Sequence, residues 1–246
     1  MKWYFFYTPN YQFYKNKIIQ KLENTKFEAK GIEIPKINVA NLTEYTHHFT
    51  NVTLKIELLI NAIKENKDDI IVFTDATIYI GNRQQEMYSY FLEKIGTDMD
   101  MLFPKEHDFS LNIGVILLRC NDRVLQFWEF CLEYMREKMK QGENVHDQTL
   151  VNEILFRKTV YYDLSSLKVS TFDREIIYVN NELPEEVKDF YYVFKMTVML
   201  DYAAASLSDP AKTYSAHTQR LTALYYARII NDEEYDRNYR DQLTWS

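Results

Sequence analysis

Glycine is scarce in this chain, with five residues among 246, at positions 31, 81, 96, 114 and 142. Glycine-rich phosphate loops need several glycines close together at a strand end, and this spacing cannot supply them. That argues against nicotinamide-dependent dehydrogenases and phosphate-loop kinases. Cysteine is scarcer still. Cys120 and Cys131 could pair only once and show no metal-ligand spacing, so both read as free thiols of a reducing compartment. Long apolar runs are missing too, since no window approaches the roughly 18–20 apolar residues of a transmembrane helix. Trp3–Tyr7, between Lys2 and Thr8-Pro9-Asn10, is too short for the apolar core of a signal peptide and reads as a strand. The expectation is a cytoplasmic protein with no membrane span. Positive charge is in deficit, with 29 Lys and Arg against 36 Asp and Glu, a net charge of −7. A nucleic-acid groove needs clustered cations, so that class is set aside. A nucleotide diphosphate is not, because a metal ion can neutralise its phosphates locally. Without repeats, low-complexity tracts or Gly/Ser linkers, one domain over 1–246 is the default.

What is present is an ordinary globular balance, 46% hydrophobic and 26% charged residues, which argues against disorder. Aromatic residues reach 15%, including 20 Tyr, and most are assigned to the core. Tyr11–Leu22 reads as a helix and Lys36–Val39 as a short strand. Val52, Ile56, Leu59, Ile60 and Ile63 form one helical stripe with Lys55, Glu57, Lys64 and Glu65 off it, which predicts an amphipathic helix over 51–66. Asp69–Phe73 is an apolar run like a buried parallel strand, and Ile78–Ile80 follows as a second. Arg83–Lys94 reads as a helix, Met99–Phe103 and Leu111–Arg119 as strands. Asn121 or Asp122 would cap a helix to about Lys140. His146–Phe156 is a further helix, Ile176–Val179 a strand, 184–200 mixed, and Thr218–Asp241 a charged helical pattern. The alternation of helix and strand predicts an α/β sheet, with 218–246 as a helical extension covering the acceptor side or forming a dimer contact, or simply packed on the body.

Five local features carry chemistry. Ile70-Ile71-Val72-Phe73-Thr74-Asp75-Ala76-Thr77 puts a carboxylate where a buried strand ends, the place where open α/β sheets bind ligands. A strand-end Asp can also simply close a turn. Asp98-Met99-Asp100 could grip a cation, but it precedes its strand and reads as a solvated turn at the opposite sheet edge. In Leu111–Leu118, Asn112 and Gly114 interrupt an apolar run, as at a bulge or a close approach by a ligand. His146-Asp147-Gln148-Thr149-Leu150-Val151-Asn152 opens a helix with Asp147 at the end that favours negative charge. Tyr214-Ser215-Ala216-His217-Thr218 brings one imidazole late in the chain, a good ligand for a borderline cation.

The order of these features resembles the GT-A nucleotide-diphospho-sugar transferases over roughly residues 1–220. The similarity is to the glycogenin-like and galactosyltransferase-like branch and to the plant and viral nucleotide-diphospho-sugar transferase group. The resemblance implies a single GT-A-type α/β domain, with a mixed, mostly parallel sheet flanked by helices. It implies that Tyr7, Thr8 and Pro9 hold the base and ribose of a donor. Lys55 would be the basic position facing that donor, and Asp75, followed by Ala76, the first acid of the family's Asp-x-Asp. Asn112 and Gly114 match the Asn-x-Gly strand, Asp147 and Gln148 the pair beside the transferred sugar, and His217 the residue completing a metal site with Asp75 and Thr77. Thr77 is a departure, because it stands where the family carries a second acid.

The resemblance implies glycosyl transfer from a nucleotide-diphosphate sugar, UDP-linked ahead of GDP- or TDP-linked, to a glycan hydroxyl. Mn2+ or Mg2+ would bridge the diphosphate. Asp147 is the candidate for stabilising the oxocarbenium-like carbon. The resemblance leans towards retention; inversion would need a base, for which Asp147, Asp108 and Asp163 are open candidates. The alternatives are an inactive nucleotide-sugar-binding protein of the same fold, motivated by Thr77, a nucleotidyltransferase, which would want a Gly-rich basic loop near Thr8–Tyr11, and a structural protein with no site.

Overall fold

The computed structural model describes residues 1–34, 44–107, 110–143, 145–157, 162–173, 176–179 and 190–196. Strand β1 (Lys2–Tyr7) opens the chain, and a 3-10 turn at Pro9–Tyr11 leads into α1 (Gln12–Leu22). Then follow β2 (Glu28–Glu33), α2 (Glu44–Glu65), β3 (Ile70–Asp75), β4 (Ile78–Ile80) and α3 (Gln84–Ile95). Next come β5 (Met101–Phe103), β6 (Lys105–His107), β7 (Ser110–Leu111), β8 (Val115–Arg119), α4 (Asp122–Lys140) and α5 (Asp147–Arg157). The last described elements are β9 (Val169–Thr171), β10 (Ile176–Val179) and β11 (Val193–Met196).

Six strands form the main sheet in the order β2-β1-β3-β8-β5-β9. All run the same way except β8, which is antiparallel to both neighbours. Strand side chains alternate between faces, and both faces are covered here. Tyr4, Ile71, Phe73, Ile116, Leu118, Met101 and Phe103 enter one apolar cluster with α2, α4 and α5. Trp3, Phe5, Val72, Val115, Leu117 and Leu102 enter the other with α1 and α3. Burial on both sides is why these strands read as continuous apolar runs. A smaller sheet, β10-β11-β4, lies beyond β3 in the chain. Gly81 permits its closure. A Cβ there would come within 2.2 Å of the Tyr191 carbonyl oxygen, and the Gly81 N–H donates to Tyr192 O at 2.9 Å. Among the described residues no helix is long and apolar enough to cross a membrane.

The expected elements are found with shifts. The helix predicted over 51–66 begins at Glu44, because no Gly or Pro between there and Glu65 stops it. The strand expected over Leu111–Arg119 is broken, with Asn112–Gly114 forming a turn between β7 and β8. Asn121 does cap α4, accepting from Val124 N at 2.9 Å. Strand β2 was not expected. It is an exposed edge strand, Glu-Ala-Lys-Gly-Ile-Glu, whose charges suppress the apolar signal and discourage pairing with other chains. The short edge strand β9 was also missed, being too brief to show a period. Lys36–Val39 and Thr218–Asp241 lie outside the described residues.

The turn reading of Asp98-Met99-Asp100 needs a correction. Asp98 is exposed, but Asp100 is buried, accepting from Asn121 Nδ2 at 2.7 Å, Arg123 Nη2 at 2.8 Å and Lys168 N at 3.0 Å. Burial alone would favour its protonated form. The Arg123 guanidinium and the other donors outweigh that and hold the carboxyl below the usual range. Asp100 immediately precedes β5 and sits at the sheet edge opposite Asp75, so its role is to tie α4 and the entry to β9 onto the sheet.

Candidate active site

Because β1 and β3 are parallel, Tyr7 and Asp75 close their strands at the same edge of the sheet. Strand β8 runs the other way, so it is its beginning that lies there, and Asp75 N donates to Gly114 O at 2.9 Å. Asn112 shapes this entry. Its Oδ1 accepts from Gly114 N at 2.8 Å, an Asx turn that explains the asparagine. Its Nδ2 donates to Gln148 Oε1 at 3.1 Å, and Ile113 N approaches the same oxygen at 3.4 Å.

Three elements meet around one cation. Lys55 of α2 places its Nζ 2.9 Å from Asp75 Oδ1 and 3.2 Å from Asp147 Oδ2. The lysine side chain is only 8% exposed, and the carboxylates 16% and 13%. Lys55, which the sequence places off the apolar stripe of its helix, is therefore buried against two carboxylates. The buried arc of α2 is wider than the five-residue stripe, taking in Lys55, Ile56, Leu59, Ile60, Ala62 and Ile63. Burial alone would strip the ammonium of its proton. The Asp147 and Asp75 carboxylates reverse that and hold it charged, well above the ordinary lysine range. Asp147 heads α5, where the helix dipole also favours a carboxylate. Among the described residues, two carboxylates share one ammonium here.

Around this core the remaining candidates fall as follows. Tyr7 is buried and donates from its hydroxyl to Glu33 Oε2 at 3.1 Å, with Lys15 Nζ 5.0 Å from its ring centroid. Thr8 is half-buried and Pro9 exposed, at the start of the 3-10 turn. Ala76 is buried and Thr77 half-buried in the turn from β3 to β4. Gln148 is half-buried and its carbonyl faces Asn112. His217 and Asp108 lie outside the described residues. Asp163 is exposed in the loop entering the amino end of β9, away from Asp75, where the Ser165 hydroxyl and then its backbone N–H hold its carboxyl below the usual range. Among the described residues no group of three or more His, Cys, Asp or Glu side chains is arranged to hold a metal ion.

Two further residues adjoin these candidates. Glu33 ends β2 beside Tyr7, and the unrecognised strand hid it. Asn152 bonds both backbone groups of Leu111, accepting from its N–H at 2.7 Å and donating to its carbonyl at 2.9 Å. Its spacing, one helical turn after Gln148, was the available signal.

A family model described as nucleotide-diphospho-sugar transferase matches residues 44–204, more than half of the chain. No curated protein matches the sequence. Among solved structures, the chain is similar to a glycosyltransferase involved in the glycosylation of the major capsid of PBCV-1. The identity is 13% and the TM-score 0.51, over 79% of this chain and 92% of that one. Galactosyltransferase LgtC, solved with donor and acceptor sugar analogs, gives 11% identity and a TM-score of 0.49, over 91% of this chain and 95% of that one. The α/β architecture described above, five strands one way and β8 the other with helices on both faces, is that of the GT-A glycosyltransferases.

Proposed function

Given that the chain belongs to the nucleotide-diphospho-sugar transferase family, we propose that it transfers a glycosyl group from a nucleotide-diphosphate sugar to a hydroxyl of a glycan acceptor, at the carboxyl edge of its main sheet. The observation that carries this is the buried Lys55–Asp75–Asp147 ion triad. A charged lysine enclosed at a strand edge serves a cleavage that leaves a diphosphate, because it meets the negative charge that develops there. Asp147 lies within hydrogen-bonding reach of that lysine and stands beside the sugar. Its carboxylate stabilises positive charge at the reacting carbon, and Lys55 fixes its orientation. Gln148 meets the sugar through its Nε2, its carbonyl being held by Asn112. Tyr7 and Glu33 flank the nucleoside at the ends of β1 and β2, with Thr8 and Pro9 turning the chain away.

A divalent cation, Mn2+ or Mg2+, is part of this reading. What supports it is the chemistry of the donors, carboxylate and hydroxyl oxygens with an imidazole, which suit such a cation. Asp75 and Thr77, with His217, would hold it. When bound it supplies further charge neutralisation on the leaving nucleoside diphosphate. A UDP-sugar is the first donor to test, and retention of anomeric configuration is the expected outcome.

The test is calorimetric titration of UDP-, GDP- and TDP-sugars with and without manganese, together with donor hydrolysis followed by NMR. Saturable, metal-dependent binding of one donor and slow hydrolysis are expected, and Asp75→Ala should abolish both while the fold survives. Failure of every donor to bind removes the proposal. A second reading, a nucleotide-sugar-binding protein without turnover, is favoured by the neutral hydroxyl of Thr77. Donor binding with no hydrolysis or transfer over a broad acceptor panel would establish it.

A further inference from the structure

We infer that Asn152 is a positioning residue that sets the spacing of Asp75 and Asp147 around Lys55. The two carboxylates come from different elements, and the contact between those elements runs through residues 111–114. Asn152 lies on α5 one turn beyond Gln148, so both amides face this segment, while Asp147 lies about 140° around the helix from Asn152. Thus α5 grips the strand entry with one face and presents its carboxylate from another. The grip is double. Asn152 Oδ1 takes the Leu111 N–H at 2.7 Å, and Nδ2 gives to Leu111 O at 2.9 Å and, within the helix, to Gln148 O at 2.8 Å. The amide thereby treats Leu111 as a neighbouring strand would. Three residues on, Gly114 O receives the Asp75 N–H at 2.9 Å. A continuous path of backbone and amide bonds therefore joins the helix of Asp147 to the strand end of Asp75. Asparagine suits this place because it both donates and accepts. Aspartate accepts only, and serine is too short to reach both groups.

The test compares Asn152→Asp, which keeps the shape and loses the donor, with Asn152→Ser, which loses the reach. The readout is the Lys55 ammonium signal in nitrogen-15 NMR, with melting curves to establish folding. Both variants should shift that signal and raise its hydrogen-exchange rate by about tenfold or more at pH 7, as the ion triad loosens. In Asn152→Asp alone the wild-type signal should return as the pH falls below the ordinary aspartate value of about 3.9, because the protonated carboxyl again donates to Leu111 O. A catalytic arm rests on the transferase reading: kcat for donor hydrolysis should fall about 10- to 100-fold, with the donor KM changed less than about twofold. An unchanged Lys55 signal in the folded variants overturns the proposal, as does the failure of both to fold, which would make the residue a folding element. Absence of turnover in the wild-type chain would instead sink the transferase reading, and the ammonium signal would still judge Asn152.

Discussion

Replacing Lys55 by methionine gives the most direct test of the ion triad. Methionine keeps the length and apolar stem of the side chain and removes only the charge. Asp75 and Asp147 both contact one nitrogen, at 2.9 and 3.2 Å, so their nearest oxygens lie no more than about 6 Å apart. Two like charges at about 6 Å repel by about 3 kcal/mol at an effective dielectric constant of about 20. Removing one partner of a buried pair costs about 3–5 kcal/mol by comparison with other proteins. The expected loss at pH 8 is therefore about 3–5 kcal/mol, which at about 2–4 °C per kcal/mol lowers the melting temperature by about 6–20 °C. The pH dependence has a definite sign. In the wild type, the Lys55 pKa is raised on folding. Its contribution is fully present below the unfolded lysine value of about 10.5 and is lost only as the pH rises through the higher folded value. It is flat between pH 5 and 8. In the variant, one proton taken up between the two carboxylates relieves the repulsion, so the gap to wild type should narrow towards pH 5. Urea denaturation of both proteins at pH 5 and 8 measures this. A loss under about 1 kcal/mol, or one independent of pH, would refute the reasoning.

Other outcomes follow from the remaining buried groups. Asp100→Asn should cost about 1.5–3 kcal/mol, since one of its charge-assisted bonds becomes a clash, yet leave donor affinity unchanged because the residue is at the opposite sheet edge. Its pKa is depressed on folding, so the stability Asp100 provides is present above the unfolded value near 4 and lost as the pH falls through the lower folded one; an acid melt of the variant should be flatter there. The Trp128 indole N–H is buried with no hydrogen-bond partner among the described residues, so Trp128→Phe should change stability by less than about 1.5 kcal/mol, whereas Trp128→Ala should cost about 3–5, as read by urea melts. Burial pushes the Cys120 thiol up to about 12 and the Cys131 thiol well above its ordinary value, so neither should react with a thiol reagent at pH 8 until urea unfolds the chain.

The sequence made the central sheet legible because it is buried on both faces. Ile70–Phe73 and Val115–Leu118 carry continuous apolar runs that admit few other readings. The edge strands were not legible, since β2 is charged and β9 spans only Val169–Thr171. The same division holds at the candidate site. Asp75, Asn112 and Asp147 stand out because each interrupts or opens a clear local pattern. Lys55 stood out only through the family resemblance, because a lysine on an amphipathic helix is ordinarily solvated and its carboxylate partners are distant in the chain. Asp100 was misread for the complementary reason, its partners at 121, 123 and 168 being remote in the chain. Asn152 was visible as a letter but not as a clamp, since a side-chain bond to another element's backbone leaves no periodic trace.

The reversed direction of β8 divides labour between the two rims of the sheet. On one rim, strand exits and a strand entry collect the polar groups described above. On the other, connections are laced together: Asp68 N donates to Cys120 O, Cys120 N to Asp69 O, and Arg119 N to the backbone of Asp100. One rim can thus be remodelled by lengthening the turns at 76–77 and 112–114, while the other keeps the strands in order. A library diversified on the first rim should therefore retain soluble protein far more often than one diversified on the second.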